Sequence, residues 1–467
     1  MNRPTTRPIV TGPITGGSKG WPFAKSTLDV AKHGYVEAEY FIEGTATRYR
    51  LAAGSELSRD GRWRAEPAGE APFRTRMLVY RPNERTRFNG TVVLTWNNVT
   101  AGHDLFGAES LELFEGGYAL VCLTTQKVGI EGLPPKPQGL AAWDRERYGR
   151  LSIPSDDYSY DVFTQGALAV GKDRARAPVD PLGGLDVQRV VAQGASQSAG
   201  RLATYVNAIH PLARAKIGKD AIDGFILQIY FGSGSALEVG DAVVNINNAP
   251  ASRPRDRLRG TNLLRDDLGV PIFVVNSELE AIACHPVRQP DSETFRYWES
   301  AGTCHVSEQV TRARQAKSIR DGIVVVPVPE GINRIPIAPL YDAAYHHMQR
   351  WLTDGVAPPA QPKVEFAGSP EEVVRDEHGI AKGGIRLPQV DVPLAQNSAI
   401  PLAEDVFAFL RGSCRPFDAQ KLRRLYGDKS AFLARFRAAA ERAVAAGVMR
   451  PRDVASLVAE ADESWRA

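Results

Sequence analysis

Six stretches of the chain have the pattern of strands, several of them apolar almost without interruption, and segments with helical patterning separate them. "TVVLTW" (91–96), "YALVCLT" (118–124), "VQRVVAQ" (187–193), "GFILQIYF" (224–231), "PIFVVNS" (271–277) and "FRYWES" (295–300) read as strands. Several are apolar at both alternations, as strands covered on both faces must be. "AESLELFEGG" (108–117), "SYDVFTQGALAVGKD" (159–173) and "SAGRLATYVNAI" (198–209) carry the helical pattern. Strands alternating with helices predict an α/β fold, a mostly parallel central sheet with right-handed crossovers and helices on both faces.

Three regions break the alternation. Residues 232–268 are polar and rich in Gly and Pro, long enough for a lid-like insertion, and 306–336 form a second insertion before a helix at 338–355. After "APPAQP" a C-terminal extension (356–467) passes through "KGGIRLPQVDVP" and ends in helices. One of these has Asp428 as its N-cap and stops at Gly447; Phe432, Phe436, Ala440 and Val444 recur every four residues and predict a docking face. With no internal repeat or low-complexity tract, the expectation is one domain over 1–467, with its core at about 36–355.

Composition narrows the picture mainly by exclusion. With 467 residues, 43% hydrophobic and 24% charged, the chain can bury a large core. Lys plus Arg number 57 against 54 Asp plus Glu, a net +3, and no basic run is interleaved with aromatics, which argues against a nucleic-acid partner. No stretch has the length of a secretory signal or a membrane span, so the expected location is the cytoplasm. Cys122, Cys284, Cys304 and Cys414 are too few and too scattered for a disulfide framework or a zinc site. A bridge between Cys284 and Cys304 would tie the acid loop to the histidine loop, but the thiol form is the expected default for a cytoplasmic chain.

The candidate chemistry sits in "VVAQGASQSAGRLATYV" (190–206), where a β-branched run stops at Gly194, a serine follows at 196, and a helix begins at once. A serine on a sharp strand-to-helix turn projects its hydroxyl beyond the sheet edge, and the helix dipole suits a developing oxyanion. Ser196 is the candidate nucleophile. The arrangement requires an acid after a later strand and a histidine after the last, in that order. "PIFVVNSELEAI" runs into Glu278 and Glu280, and "FRYWESAGTCHVS" runs through Gly302 to His305. His305 is the candidate base; Glu280 is the preferred acid, with Glu278 second and Asp291 third, while His285, His346 and His347 read as structural. The oxyanion donors are expected to be the backbone N–H of Gln197 and one at Asn98 or Val99, in "NNVTAGHD". Trp143, Tyr148, Tyr158 and Tyr160, before the nucleophile strand, could line a pocket, with plain packing the better expectation.

These residues resemble the α/β-hydrolase superfamily and, more narrowly, the family of α/β-hydrolase domain proteins of about this length. The resemblance is carried by "GYVEAEYFIEGTATRY", "FNGTVVLTWNNVTAG", "WDRERYGRLSIPSDDYSYDVF", "GASQSAGRL", "FRYWESAGTCHV" and "GGIRLPQVDVP". It implies Ser196 as nucleophile, His305 as base and an acid in "SELE". Glu280 stands where aspartate is expected and Ser198 where glycine is commoner. The implied activity is hydrolysis of a small-molecule carboxylic ester, with no metal or organic cofactor. Alternatives are a lactonase or acyltransferase with the same triad, or a non-catalytic binding protein.

Overall fold

The computed structural model describes residues 7–105, 110–239, 259–369, 371–401 and 408–466. The chain divides into two compact units. The first comprises residues 1–250, 261–272 and 317–323; the second comprises 251–260, 273–316 and 324–467.

The first unit is built on strands β1 (Ile9–Thr11), β2 (Tyr35–Leu51), β3 (Ala65–Pro82), β4 (Thr91–Trp96), β5 (Ala119–Leu123), β6 (Arg189–Ala195) and β7 (Gly224–Gln228). They lie side by side in the order β1-β2-β3-β5-β4-β6-β7. The pairs β4–β5, β4–β6 and β6–β7 are parallel, as the alternation predicts. Every residue of β4, β5 and β7 is buried, which accounts for their unbroken apolar character. Helices α1 (Leu111–Glu115), α2 (Ser159–Val170) and α3 (Gln197–Thr204) occupy the predicted helical stretches. From α3 the chain continues through a π-helical turn, Tyr205–Ile209, into α4 (His210–Ile217).

The antiparallel hairpin β2–β3 was not among the predicted strands. Its strands have 17 and 18 residues, but β3 carries Pro67, Gly69 and Pro72, which punctuate the sequence as a loop would. The sheet tolerates them because β3 bonds to β5 only through Met77–Tyr80. Its proline-bearing half therefore pairs with β2 alone, where an absent N–H is harmless, and a register shift at Arg48/Tyr49 takes up an extra residue.

A chain of buried charges lies in this unit. Arg147 Nε donates to Glu39 at 2.6 Å, and Arg76 reaches Glu39 and Asp104, each at 3.4 Å. Glu39, Arg76 and Asp104 are all at most 2% exposed, so pairing is what makes their burial tolerable. Of the lid-like insertion, 240–258 lies outside the described residues; its flanks are fastened together by Thr261 N–H to Gly232 O and Gly234 N–H to Asn262 Oδ1, both 2.8 Å.

The second unit contains the rest of β8 (Ile272–Ser277), β9 (Phe295–Ser300) and helices α5 (Glu278–Cys284) and α6 (Ala338–Asp354). Its C-terminal part forms two small two-stranded sheets, β10 (Phe366–Ala367) with β11 (Glu372–Val373) and β12 (Ala395–Ser398) with β13 (Ser413–Pro416). Helices α7 (Ala419–Tyr426), α8 (Lys429–Ala445) and α9 (Asp453–Ser464) follow. Asp428 caps α8 by accepting from Ala431 N–H at 2.9 Å. Phe432, Phe436 and Ala440 are buried and Val444 half-buried, with Phe432 packed between Tyr426 and Trp465.

Candidate active site

The turn at Ser196 is dictated by its neighbours. A Cβ on Gly194 would lie 2.7 Å from the carbonyl oxygen of Ser198, so the helix can cross the strand end only where there is no side chain. Ser196 adopts φ 61° and ψ −117°, and among the described residues it is one of three non-glycine positions with positive φ. Such strain costs about 1–3 kcal/mol and persists only when the surroundings enforce it. Here they do. Ser196 N–H donates to Gln228 O at 3.0 Å, and Asn98 Nδ2 donates to Ala195 O at 2.9 Å. Ser198 Oγ accepts from Ala195 N–H and donates to Ala195 O, each at 2.9 Å. Serine where glycine was expected is thus a clip that closes the turn.

Gln197 opens α3, and the N–H groups of a first helical turn lack intrahelical acceptors. Its side chain donates to Gln126 Oε1 at 3.0 Å, which also accepts from Trp96 Nε1 at 3.2 Å. Gln126 Nε2 in turn donates to Asp156 at 2.7 Å. The loop after β4 is equally fixed: Leu105 N–H donates to Asn98 O at 2.7 Å and Asn97 Nδ2 to Asp104 at 3.0 Å. Thr124 and Arg76 also bind Asp104, yet burial outweighs them and holds its carboxyl above the usual range.

In the second unit, β8 passes directly into α5 through Ser277, the N-cap, with Glu280 at N3. The two form a capping box: Glu280 Oε2 accepts from Ser277 N–H at 3.2 Å and from its hydroxyl. The other oxygen, Oε1, lies 2.7 Å from His305 Nδ1. Glu280 is fully buried and His305 only 5% exposed. A proton on Nδ1, shared with the carboxylate, leaves Nε2 as an acceptor. Glu278 serves elsewhere, accepting from Gly302 N–H and Arg375, and Asp291 accepts from Tyr297 N–H at 3.0 Å and pairs with Arg296. Of the three candidate acids, Glu280 is the one joined to His305. Ser196, Gln197 and Asn98 belong to the first unit, Glu280 and His305 to the second.

Comparison with known proteins identifies the family of the chain. The sequence matches the alpha/beta hydrolase domain family over residues 10–459. The chain belongs to that family. Similar solved structures include brefeldin A esterase, described as a bacterial homologue of human hormone sensitive lipase, at 13% identity and TM-score 0.25. That alignment covers 60% of this chain and 66% of the esterase, so the chain spans just under two thirds of it. A hyperthermophilic esterase from the archaeon Pyrobaculum calidifontis aligns at 16% identity and TM-score 0.28, covering 60% of this chain and 82% of that one. For a bacterial heroin esterase the values are 13%, 0.29, 60% and 83%. A comparison with curated proteins yields no match.

In this alpha/beta hydrolase the aromatic cluster before the nucleophile strand is largely packing. Trp143 packs against Phe23 with ring centroids 5.1 Å apart and the rings tilted at 60°, and donates to Asp321 O, while Tyr148 is fully buried with its hydroxyl on Glu39. Tyr160 is buried and donates to Ala236 O at 3.0 Å. All four cysteines are free, and burial pushes the thiols of Cys284 and Cys304 upward. His347 donates to Gly447 O at 2.7 Å from within α6, and His285 packs on Phe366. Among the described residues, no helix is long and apolar enough to cross a membrane.

Two supporting residues escaped the sequence reading. Ser277 was marked by the Ser-x-x-Glu spacing of a capping box in "SELE". Gln126 follows a strand with nothing local to distinguish it; its partners Trp96 and Gln197 lie 30 and 71 residues away.

Proposed function

We propose that this protein is a serine hydrolase that cleaves carboxylic esters through an acyl-enzyme on Ser196, with His305 as general base and Glu280 as the orienting acid. The observation that carries the reading is the 2.7 Å contact between Glu280 Oε1 and His305 Nδ1. A carboxylate on Nδ1 selects the tautomer whose Nε2 can take a proton. The strained turn at Ser196, opening a helix, supports the serine as nucleophile.

In this mechanism His305 Nε2 removes the Ser196 hydroxyl proton as the oxygen attacks the ester carbonyl. The negative charge that develops on the carbonyl oxygen is held by the backbone N–H of Gln197 and one from the Asn98 loop; losing one such donor raises the barrier by about 2.7–4 kcal/mol. The imidazolium then protonates the leaving alkoxide, Glu280 stabilising the positive ring throughout. Water, deprotonated by His305, attacks the acyl-enzyme; the acid is released and Ser196 regains its proton. Glutamate suffices as the acid because its task is orientation and charge, and its extra methylene reaches the ring from the third position of a helix.

The test is labelling with a fluorophosphonate, followed by mass spectrometry of the modified peptide. Wild-type protein is expected to carry the adduct on Ser196 and the Ser196→Ala variant none. Hydrolysis of p-nitrophenyl esters and lactones then defines the acyl donor, and added alcohols reveal any transfer. No reactive serine in folded protein would overturn the proposal.

A further inference from the structure

Two glutamates stand within one turn of α5, and the triad reading uses only Glu280. Glu278 is also fully buried, and its carboxylate is saturated. Oε2 accepts from Gly302 N–H at 2.7 Å. Oε1 accepts from Arg375 Nη2 at 2.8 Å, Ala399 N–H at 3.3 Å and Ser398 Oγ at 3.5 Å. One carboxylate thus gathers three separate pieces of chain: the start of the loop that carries His305, the strand-end Ser398–Ala399, and the segment bearing Arg375.

The loop is held at its other points by residues 333–335 and by the C-terminal extension. Gly302 adopts φ +69°, and a Cβ there would lie 3.0 Å from Ile335 Cδ1 and 3.2 Å from Val390 Cγ2, so the turn is packed tightly. Its carbonyl accepts from Asn333 Nδ2 at 2.7 Å, and the same amide reaches Ser398 O at 3.1 Å. Just beyond His305, Val306 N–H donates to Leu410 O at 2.8 Å. His305 therefore sits on a short span pinned three residues before it through Glu278 and one residue after it through Leu410.

We infer that Glu278 is a positioning residue and Arg375 its counter-ion, together fixing the His305 loop so that the imidazole stays on Glu280. The inference rests on the triad reading for its catalytic consequence, but the geometry it concerns lies wholly within the second unit. Arg375 is the decisive partner. Two backbone N–H groups and a serine hydroxyl are neutral donors, and only the guanidinium balances the charge of a carboxylate that burial isolates from water. Arg375 is also 22% exposed, so replacing it perturbs packing less than replacing Glu278 would.

The experiment compares Arg375→Met, Arg375→Gln and Arg375→Lys in the full chain. Two readouts are taken: steady-state hydrolysis of a p-nitrophenyl ester, and the low-field proton resonance of the His305 Nδ1–H, assigned by its disappearance in His305→Ala. Arg375→Met is expected to lower kcat about 10- to 100-fold with little change in KM, as small displacements of catalytic groups do. The low-field resonance should shift or broaden in step, and Arg375→Lys should restore most of both. If Arg375→Met does not fold, the contrast between Gln and Lys decides. Folded variants that keep the wild-type resonance and kcat overturn the inference. Failure of the hydrolase reading looks different, because wild-type protein then carries no label on Ser196 while the resonance still responds to Arg375.

Discussion

Replacing Glu280 by glutamine separates the two tasks this residue performs. Glutamine serves as well as glutamate at the third position of a capping box. Ser277 presents two donors to Glu280, its N–H and its hydroxyl, so the new amide turns its oxygen toward Ser277 and its NH2 toward His305. Nδ1 of the ring then accepts instead of donating, and the ring proton moves to Nε2, the atom that must be free to receive one. The equivalent exchange in a serine protease costs about 10⁴ in kcat, which is about 5.4 kcal/mol at 1.36 kcal/mol per decade. The fold loses far less, roughly 1–3 kcal/mol for weakened hydrogen bonds to a charged group. Glu280→Gln should therefore still fold, with a urea midpoint lowered only modestly, while its acylation rate, followed as the p-nitrophenol burst, falls by orders of magnitude. A folded variant that keeps more than about a tenth of the wild-type acylation rate refutes this account of the Glu280–His305 pair, because the wrong tautomer is incompatible with that rate.

Three further outcomes follow from the packing. Gly194→Ala brings a methyl into the Ser198 backbone and should cost at least about 1–3 kcal/mol, read as a lower urea midpoint; an unchanged midpoint would show that the turn can open. In native protein without reductant, the four buried thiols should react with Ellman's reagent only after unfolding, all four at once, and two missing thiols would reveal a bridge. Burial pushes His347 down to about 4, against about 6.5 for an exposed histidine, so its neutral form is the one the fold favours. Its contribution is complete above pH 6.5 and is lost as pH falls through 4, roughly 2–3 kcal/mol at most; His347→Gln should flatten the fall in stability between pH 6.5 and 4.

The central parallel strands were legible because burial on both faces forces β-branched, apolar runs that no loop needs. The β2–β3 hairpin was not, since its prolines and glycine are tolerated only by an unpaired edge and a bulge, both properties of the neighbours rather than of the strand. At the site, chain order pointed to Glu280 and His305, and the structure joins them at 2.7 Å. The task of Glu278 depends on Arg375, Ser398 and Ala399, about a hundred residues downstream and without local pattern. Ser198 illustrates the same limit on a smaller scale: its departure from glycine is explained only when its hydroxyl is seen bridging both polar groups of Ala195.

The buried charge chain from Arg147 through Glu39 and Arg76 to Asp104 has a consequence for how this protein can be altered. It makes the loop at 97–105 a dependent of the N-terminal hairpin: Asp104 is anchored by Arg76 on β3, and Arg76 by Glu39 on β2. Variation that discards Asp104 removes one of the two buried carboxylates paired with Arg76, so viable variants at that position should be scarce. Diversity in this neighbourhood is more readily gained at Thr100 and Ala101, where side chains reach solvent. Trimming the first eighty residues to obtain a smaller protein would dismantle the same anchor from the opposite end.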